Sequence, residues 1–113
     1  MSRKYKFSEK DGAYFVSFAV VNWIDVFTRD LYFSILIESL EFCRKEKGME
    51  LYGYCIMPSH IHLIFRSGFG NPSGLMRDFK GFTSRMLLKA IKDNPQESRK
   101  EWILCMFDRA GEK

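Results

Sequence analysis

Two histidines, His60 and His62, are the residues of this chain whose type and spacing point most directly to chemistry. They are the only histidines among the 113 residues, and they lie in an apolar run, residues 54–65, that is rich in strand-favouring side chains. Successive side chains of a strand point to opposite faces, so a strand here places both imidazoles on one face. Such a pair can bind a divalent metal ion or transfer a proton.

Two ligands do not complete a metal site, so a third must come from elsewhere in the chain. Glu9 and Asp11 are candidates that the sequence does not rank. A zinc finger is excluded because no cysteine lies at ligand spacing from the histidines. A histidine-triad nucleotide hydrolase is excluded because Ile64 stands where its nucleophilic histidine belongs. The simplest alternative is a pair of polar side chains on a solvent-facing strand.

The strands that would position the histidines are predicted from β-branched and aromatic runs. Residues 13–21 predict a central strand, residues 51–57 a second and residues 60–66 a third. Pro58 and Ser59 lie between the second and third strands, which predicts that a tight antiparallel hairpin joins them. The third strand has a core face and an opposite face that carries the histidines; the core face is Ile61, Leu63 and Phe65, and the other is His60, His62, Ile64 and Arg66.

Three further segments have the i, i+3, i+4, i+7 spacing of helices. The first begins at Thr28 or Asp30 and runs four to five turns towards Gly48. Ser73 is predicted to cap the second helix. Residues 94–95 are predicted to end that helix, and a terminal helix begins after them. The expected apolar faces are Phe33, Leu36, Ile37, Leu40 and Cys43 in the first helix, Leu75, Phe79, Phe82, Met86 and Ala90 in the second, and Trp102, Ile103, Met106 and Phe107 in the third.

The resulting order is strand, helix, strand, strand, helix and a terminal helix. This order predicts an α+β fold with a ferredoxin-like antiparallel sheet and helices packed on one face. A fourth strand has no clear position, and residues 5–7 are one candidate.

Charge and composition limit the class of protein to which the chain can belong. With 46% hydrophobic and 28% charged residues the chain is typical of one globular domain. The net charge of +4 is concentrated in residues 1–12 and 66–100, which favours an anionic, phosphodiester partner. No apolar run approaches the roughly 20 residues of a membrane span. An odd number of widely spaced cysteines predicts reduced, mostly buried thiols in a cytoplasmic protein; they are Cys43, Cys55 and Cys105.

The second helix is expected to present a basic side opposite its apolar face. Arg77, Lys80 and Ser84 cluster there, flanked by Arg85 and Lys92. If functional, these residues contact phosphates and give salt-dependent affinity without base discrimination. An ordinary solvated face is the alternative. The basic N-terminus adds three more candidate DNA contacts, which are Arg3, Lys4 and Lys6.

Residues 54–64 resemble the HUH motif (histidine, hydrophobic residue, histidine) of the single-tyrosine, IS200-like transposases. The resemblance is closest to the REP-associated tyrosine transposases, whose motif reads Met-Pro-Asn before the first histidine. This chain has Met57, Pro58 and Ser59, so serine replaces the usual asparagine. Further matches lie on both sides and cover most of residues 13–92; they are residues 14–18, 26–27 and 75–85.

The resemblance implies an enzyme that cuts and rejoins single-stranded or hairpin DNA. In that family the histidine pair binds Mg²⁺ or Mn²⁺, which polarises the scissile phosphate, and a tyrosine attacks it to form a 5′-phosphotyrosine link. The family's tyrosine lies downstream of the HUH strand in a Tyr-Ile-x-x-Asn-Pro motif. All five tyrosines of this chain precede His60, so no catalytic residue can be assigned.

We therefore expect residues 1–113 to form a single HUH transposase-like domain, C-terminally incomplete relative to the family, in DNA transposition and recombination. It is expected to bind DNA and to bind Mg²⁺ or Mn²⁺ through His60 and His62, without cleaving DNA by itself. Two alternatives are a non-catalytic DNA-binding module and, less favoured, a metal-dependent phosphoesterase in which water replaces the tyrosine. Because relatives often pair, a homodimer is a further expectation.

Overall fold

A computed structural model describes residues 9–20 and 25–111, with side chains as far as residue 107. The chain has the predicted α+β class, and the described residues form three antiparallel strands and three α-helices. A short 3₁₀ turn, Val26–Thr28, precedes the first helix. The elements are β1 (Ala13–Ala19), α1 (Asp30–Glu46), β2 (Met49–Met57), β3 (His60–Ser67), α2 (Pro72–Asp93) and α3 (Lys100–Gly111).

The three described strands pair in the order β1-β3-β2, so β3 is central. Among the described strands β1 therefore lies at an edge, whereas the sequence predicts a central strand at residues 13–21. Its apolar run is misleading because only alternate residues, Val16 and Phe18, are buried, whereas the intervening Phe15 is 65% exposed. The candidate fourth strand, residues 5–7, lies outside the described residues.

The predicted hairpin joins β2 to β3. Met57 pairs with His60 across a turn made by Pro58 and Ser59, and the strands are antiparallel. The register shifts between Leu51 and Gly53, where β2 has a bulge. The sequence analysis does not anticipate this bulge.

The predicted division of β3 into two faces is confirmed. Ile61, Leu63 and Phe65 are at most 1% exposed, whereas Ile64 is 43% exposed. The buried face forms one apolar cluster with α1 and α2, in which Phe18 of β1 contacts Phe79 of α2 at 6.1 Å between ring centroids. In the described part of the chain, the histidine face carries no helix.

The buried faces of α1 and α2 are rotated from those predicted by hydropathy. Phe33 and Met86, both predicted to be buried, are exposed. The observed faces include a buried hydrogen bond of 2.5 Å between the Ser39 and Thr83 hydroxyls, which places two polar residues at the contact between the helices. The buried residues are Tyr32, Ile35, Leu36, Ser39, Leu40 and Cys43 in α1, and Pro72, Gly74, Leu75, Met76, Phe79, Thr83, Leu87 and Ile91 in α2.

Asn71, not Ser73, caps α2. Its side-chain oxygen accepts a hydrogen bond of 3.1 Å from the backbone N–H of Gly74, and Pro72 follows at the first helical position. A Cβ at Gly74 would lie 2.4 Å from Nδ2 of Asn71, so this cap requires glycine three residues later. The predicted end of the helix before Asn94 is confirmed.

The start of α3 is tied to α1 through the buried carboxylate of Glu97. It accepts hydrogen bonds from Nε of Arg29 (2.9 Å), the hydroxyl of Tyr32 (3.0 Å) and the backbone N–H of Arg99 (3.2 Å). Burial raises the pKa of Glu97, but these donors together outweigh burial, so its pKa lies below the ordinary value. The network holds the loop between α2 and α3 against the core.

Two predictions of burial, for α3 and for the cysteines, need correction. Ile103 of α3 is fully buried as predicted, but its neighbour Trp102 is 49% exposed. Of the three free cysteines only Cys43 is buried, and burial raises its pKa to about 11; Cys55 and Cys105 are exposed. None of the described helices has the length and apolar character that crossing a membrane requires.

Candidate functional site

His60 and His62 lie side by side on the open face of the central strand. Their ring centroids are 5.0 Å apart and their planes are nearly perpendicular. Both side chains are half-buried, because neighbouring strands flank them on each side. The alternation that holds the apolar residues of β3 in the core therefore presents both imidazoles together on the opposite face.

Ser17 of β1 holds the ring of His62. The two residues are directly paired across the strands, and Oγ of Ser17 lies 2.7 Å from Nδ1 of His62. When Nδ1–H donates to this hydroxyl, the lone pair of the imidazole is on Nε2, where a metal ion can bind it. A weaker contact of 3.4 Å joins Oγ of Ser59 to Nδ1 of His60. Hydroxyl groups thus contact the Nδ1 atoms of both rings.

Near the histidines, the described residues of this face are mostly small or apolar. Phe15 of β1 stacks on His62, with ring centroids 5.6 Å apart and an interplanar angle of 19°. On β2, Cys55 pairs with His62 and Met57 pairs with His60.

The predicted third ligand does not come from Glu9 or Asp11 in this arrangement. Neither carboxylate belongs to a three-residue ligand group among the described residues, and Oδ1 of Asp11 lies 3.9 Å from Nη2 of Arg66. Across residues 9–20 and 25–107, no group of three histidine, cysteine, aspartate or glutamate side chains is close enough to hold a metal ion. The chemistry and placement of the two histidines fit two nitrogen ligands of a metal centre, and the described residues supply no third.

The predicted DNA-binding residues of α2 do not form one surface. Arg77 and Arg85 line a groove of about 470 Å³ between α1 and α2, together with Lys47. Asp78 partly neutralises this groove, since it lies 3.4 Å from Arg77 and 3.8 Å from Lys47. The groove is on the helical side of the sheet, whereas the histidines face the other side.

Lys80 lies apart from that groove. Its ammonium is 5.1 Å from the ring centroid of Phe18, and burial lowers its pKa. Phe18 pairs with Ile61, so Lys80 reaches the sheet at the level of the histidines, but from the helical side. Ser84 is half-buried. The remaining candidates, Arg3, Lys4 and Lys6, lie outside the described residues.

Sequence reasoning missed Ser17 and Phe15 as neighbours of the histidines. The available signal is their spacing of two in β1, with one polar residue inside an otherwise apolar run. That signal does not reveal the partners, because the pairing of β1 with β3 joins residues 45 positions apart. Only the register of the two strands identifies this contact.

A family model described as "Transposase IS200 like" matches residues 13–103. This span contains all three described strands, both histidines, α1, α2 and the start of α3. No match to a curated protein is found. The resemblance is confirmed at the level of the IS200-like transposases, and the closer likeness to the REP-associated group stays a prediction. Since the match covers most of the sequence and contains the candidate site, the chain belongs to the IS200-like transposase family.

Proposed function

We propose that this chain acts in DNA transposition by binding single-stranded or hairpin DNA at a divalent metal centre whose protein ligands include His60 and His62. The observation that carries this proposal is the pairing of the two imidazoles on the open face of β3, 5.0 Å apart. Membership of the transposase family supports DNA as the substrate class. A homodimer and a cytoplasmic location stay predictions.

The chain's own residues bind and orient in this proposal. The imidazoles would hold Mg²⁺ or Mn²⁺, which would supply Lewis-acid polarisation of a phosphate oxygen. The Ser17 hydroxyl would keep His62 in one orientation. No described helix covers this face, which supports binding of the DNA strand beside the histidines.

The described tyrosines are poorly placed to act as the nucleophile. Tyr32 is fully buried and donates to Glu97, and the hydroxyl of Tyr14 binds the backbone of Glu9. Tyr54 pairs with Leu63, whose side chain is in the core, so it belongs to the opposite face from the histidines. Tyr52 donates to Glu50, which raises the pKa of its phenol. We propose that these 113 residues bind DNA without forming a phosphotyrosine.

We expect no covalent adduct when the chain is incubated with Mn²⁺ and a labelled DNA hairpin carrying single-stranded flanks. Native gels should show retained DNA, and denaturing gels should show the free, uncut strand. A band of protein-linked DNA would contradict the proposal. Cut DNA without a linked protein would instead indicate hydrolysis by a metal-activated water.

One observation favours a second candidate, a non-catalytic DNA-binding module. Arg77 and Arg85 share their groove with Lys47 on the side away from the histidines, so phosphates can be bound there without a metal ion. In this case Arg77→Ala should weaken binding and reduce the slope of log K against log salt by about 1. Lys45→Ala, which removes the same charge at an exposed position outside the groove, is the control.

The two candidates differ in how they respond to metal removal. DNA affinity that survives chelation and the His60→Ala change, but falls in Arg77→Ala, would identify the metal-independent module. Affinity that depends on Mn²⁺ and on both histidines would identify the metal-centred site. Fluorescence anisotropy with a labelled hairpin, titrated at several salt concentrations, measures both quantities.

We expect Ser17→Ala to lower Mn²⁺ affinity about 10- to 100-fold, the usual cost of removing a partner that orients a metal-binding histidine. Ser17→Thr, which keeps the hydroxyl in a strand, should restore most of the affinity. Ser34→Ala is a matched control on the exposed side of α1. Titration calorimetry measures the affinity.

A nitrogen-correlated NMR spectrum of the imidazoles separates positioning from a structural role, since only two histidines contribute. A change in the His62 tautomer in Ser17→Ala, with the fold intact, would support positioning by the hydroxyl. Unchanged affinity together with an unchanged tautomer would contradict it.

A further inference from the structure

We propose that Phe15 is a stacking platform for one unpaired nucleobase of the bound DNA, next to the histidine pair. The inference rests on the proposed function and adds a base-binding position to it. Phe15 lies in the middle of β1, where its neighbours Val16 and Tyr14 are packed against the core, yet 65% of it is exposed. No role in the core accounts for an aromatic ring at this position.

The ring of Phe15 has a defined orientation. It lies nearly parallel to His62 at 5.6 Å between centroids, within the range of offset aromatic stacking. Ser17 holds the His62 ring in turn through its 2.7 Å contact. The ring of Phe15 is therefore supported by His62 on one side, while its high exposure leaves surface available to a ligand.

The residues around Phe15 leave room for a flat ligand. Ala13 and Ser17 are its neighbours on the same face of β1, and both are small. Ile64 is its partner on β3, and beyond it Gly53 carries no side chain; a Cβ there would lie 3.9 Å from Cδ1 of Ile64. A base can thus be placed over Phe15 without displacing a large side chain.

The chemistry of this face favours a nucleobase over a protein surface. Phe15 and Ile64 are paired with each other, but His60 and His62 separate them from Met57, so the exposed apolar residues do not form one large patch. The ion pair of 2.6 Å between Arg66 and Glu50 bounds the face at its other end. A protein interface requires a larger continuous apolar core, whereas one base requires a single aromatic surface.

The position expected for the phosphate at the proposed metal site also supports a nucleobase as the ligand of Phe15. Phe15 and its partner Ile64 are uncharged, so this part of the face attracts a base rather than a phosphate. The adjacent histidines are where the proposed metal ion would bind the phosphate. One nucleotide can then place its phosphate at the histidines and its base on Phe15. Stacking on an aromatic ring tolerates any base, so the contact gives affinity and position without sequence specificity.

Binding of single-stranded DNA to variants of the whole chain tests the inference. We expect Phe15→Ala to weaken binding at least about fivefold, the lower end of the loss for a stacked base. Phe15→Trp should bind as tightly as the wild type, whereas Phe15→Leu, apolar but without a ring, should be as weak as alanine. Phe69→Ala, at an exposed phenylalanine beyond the opposite end of β3, should have no effect.

An abasic scan of the DNA identifies the base involved. At one position, loss of the base should weaken binding to the wild type and leave binding to Phe15→Ala unchanged. Equal affinities for the wild type, Phe15→Ala and Phe15→Leu would overturn the inference while leaving DNA binding intact. Failure of the wild type to bind DNA would overturn the proposed function as well.

Sedimentation of the same variants tests a competing occupant, a second copy of the chain. If Phe15→Ala converted a dimer to a monomer without changing DNA affinity, the ring would belong to an interface between copies, and the inference would be wrong. An unchanged sedimentation coefficient with weakened DNA binding supports the stacking role. Thermal melts by circular dichroism establish that each variant is folded.

Discussion

His62→Ala should bind Mn²⁺ more than about 100-fold more weakly than the wild-type chain. Loss of a group that only orients a histidine ligand costs about 10- to 100-fold, and removal of the ligand itself should cost more. The ring of His62 is held in place by two neighbours, since Ser17 contacts Nδ1 at 2.7 Å and Phe15 stacks on the imidazole. Titration calorimetry or the electron paramagnetic resonance signal of free Mn²⁺ measures the loss.

His60→Ala should show a similar loss, because both imidazoles are presented to the same space. Glu9→Gln and Asp11→Asn should retain affinity, since neither carboxylate joins a three-residue group with the histidines. Unchanged affinity in both histidine variants would contradict the proposed metal centre. A loss in Asp11→Asn as large as that in His62→Ala would instead assign the third ligand to Asp11.

Leu63→Ala should lower the free energy of unfolding by about 2–5 kcal/mol, whereas Ile64→Ala should lower it by less than about 1 kcal/mol. Leu63 is fully buried between the sheet and the helices, and its removal leaves a cavity. Ile64, the next residue, points to the open face and is 43% exposed. Denaturant unfolding with linear extrapolation measures both values.

This comparison also tests the position of the histidines. A slip of one residue in the pairing of β3 would exchange its two faces and send His60 and His62 into the core. An equal or larger cost for Ile64→Ala would mean that the histidine face is covered, which would remove the space for DNA and for a base on Phe15. A large difference in the expected direction supports an open face.

Local sequence signals predict well where the helices begin and end, but not which side of each helix is buried. The prediction of four to five turns for α1 agrees with its seventeen residues, and α2 ends where proline follows Asn94. Hydropathy does not predict that Ser39 and Thr83 meet at the helix contact, because a buried hydroxyl is acceptable only when its partner is known. The predicted apolar faces of α1 and α2 therefore extend too far towards Phe33 and Met86.

The predicted DNA contacts show the same limit. A helical wheel groups Arg77, Lys80 and Arg85 because they lie on one broad side of α2. In the fold, Arg77 and Arg85 face the groove beside α1, and Lys80 turns towards Phe18 of β1. A wheel gives directions around one helix, but neighbouring elements decide which of those directions reach the same space.

The sequence by itself determined that His60 and His62 share one face of a strand, since the alternation of a strand depends only on local backbone geometry. It also determined that Ile61, Leu63 and Phe65 form the opposite, buried face. The tertiary structure alone decided that β3 is central, that Ser17 holds His62, and that Phe15 lies beside the pair. These features arise from pairing between distant segments, whose register depends on the packing of the whole core and not on spacing along the chain.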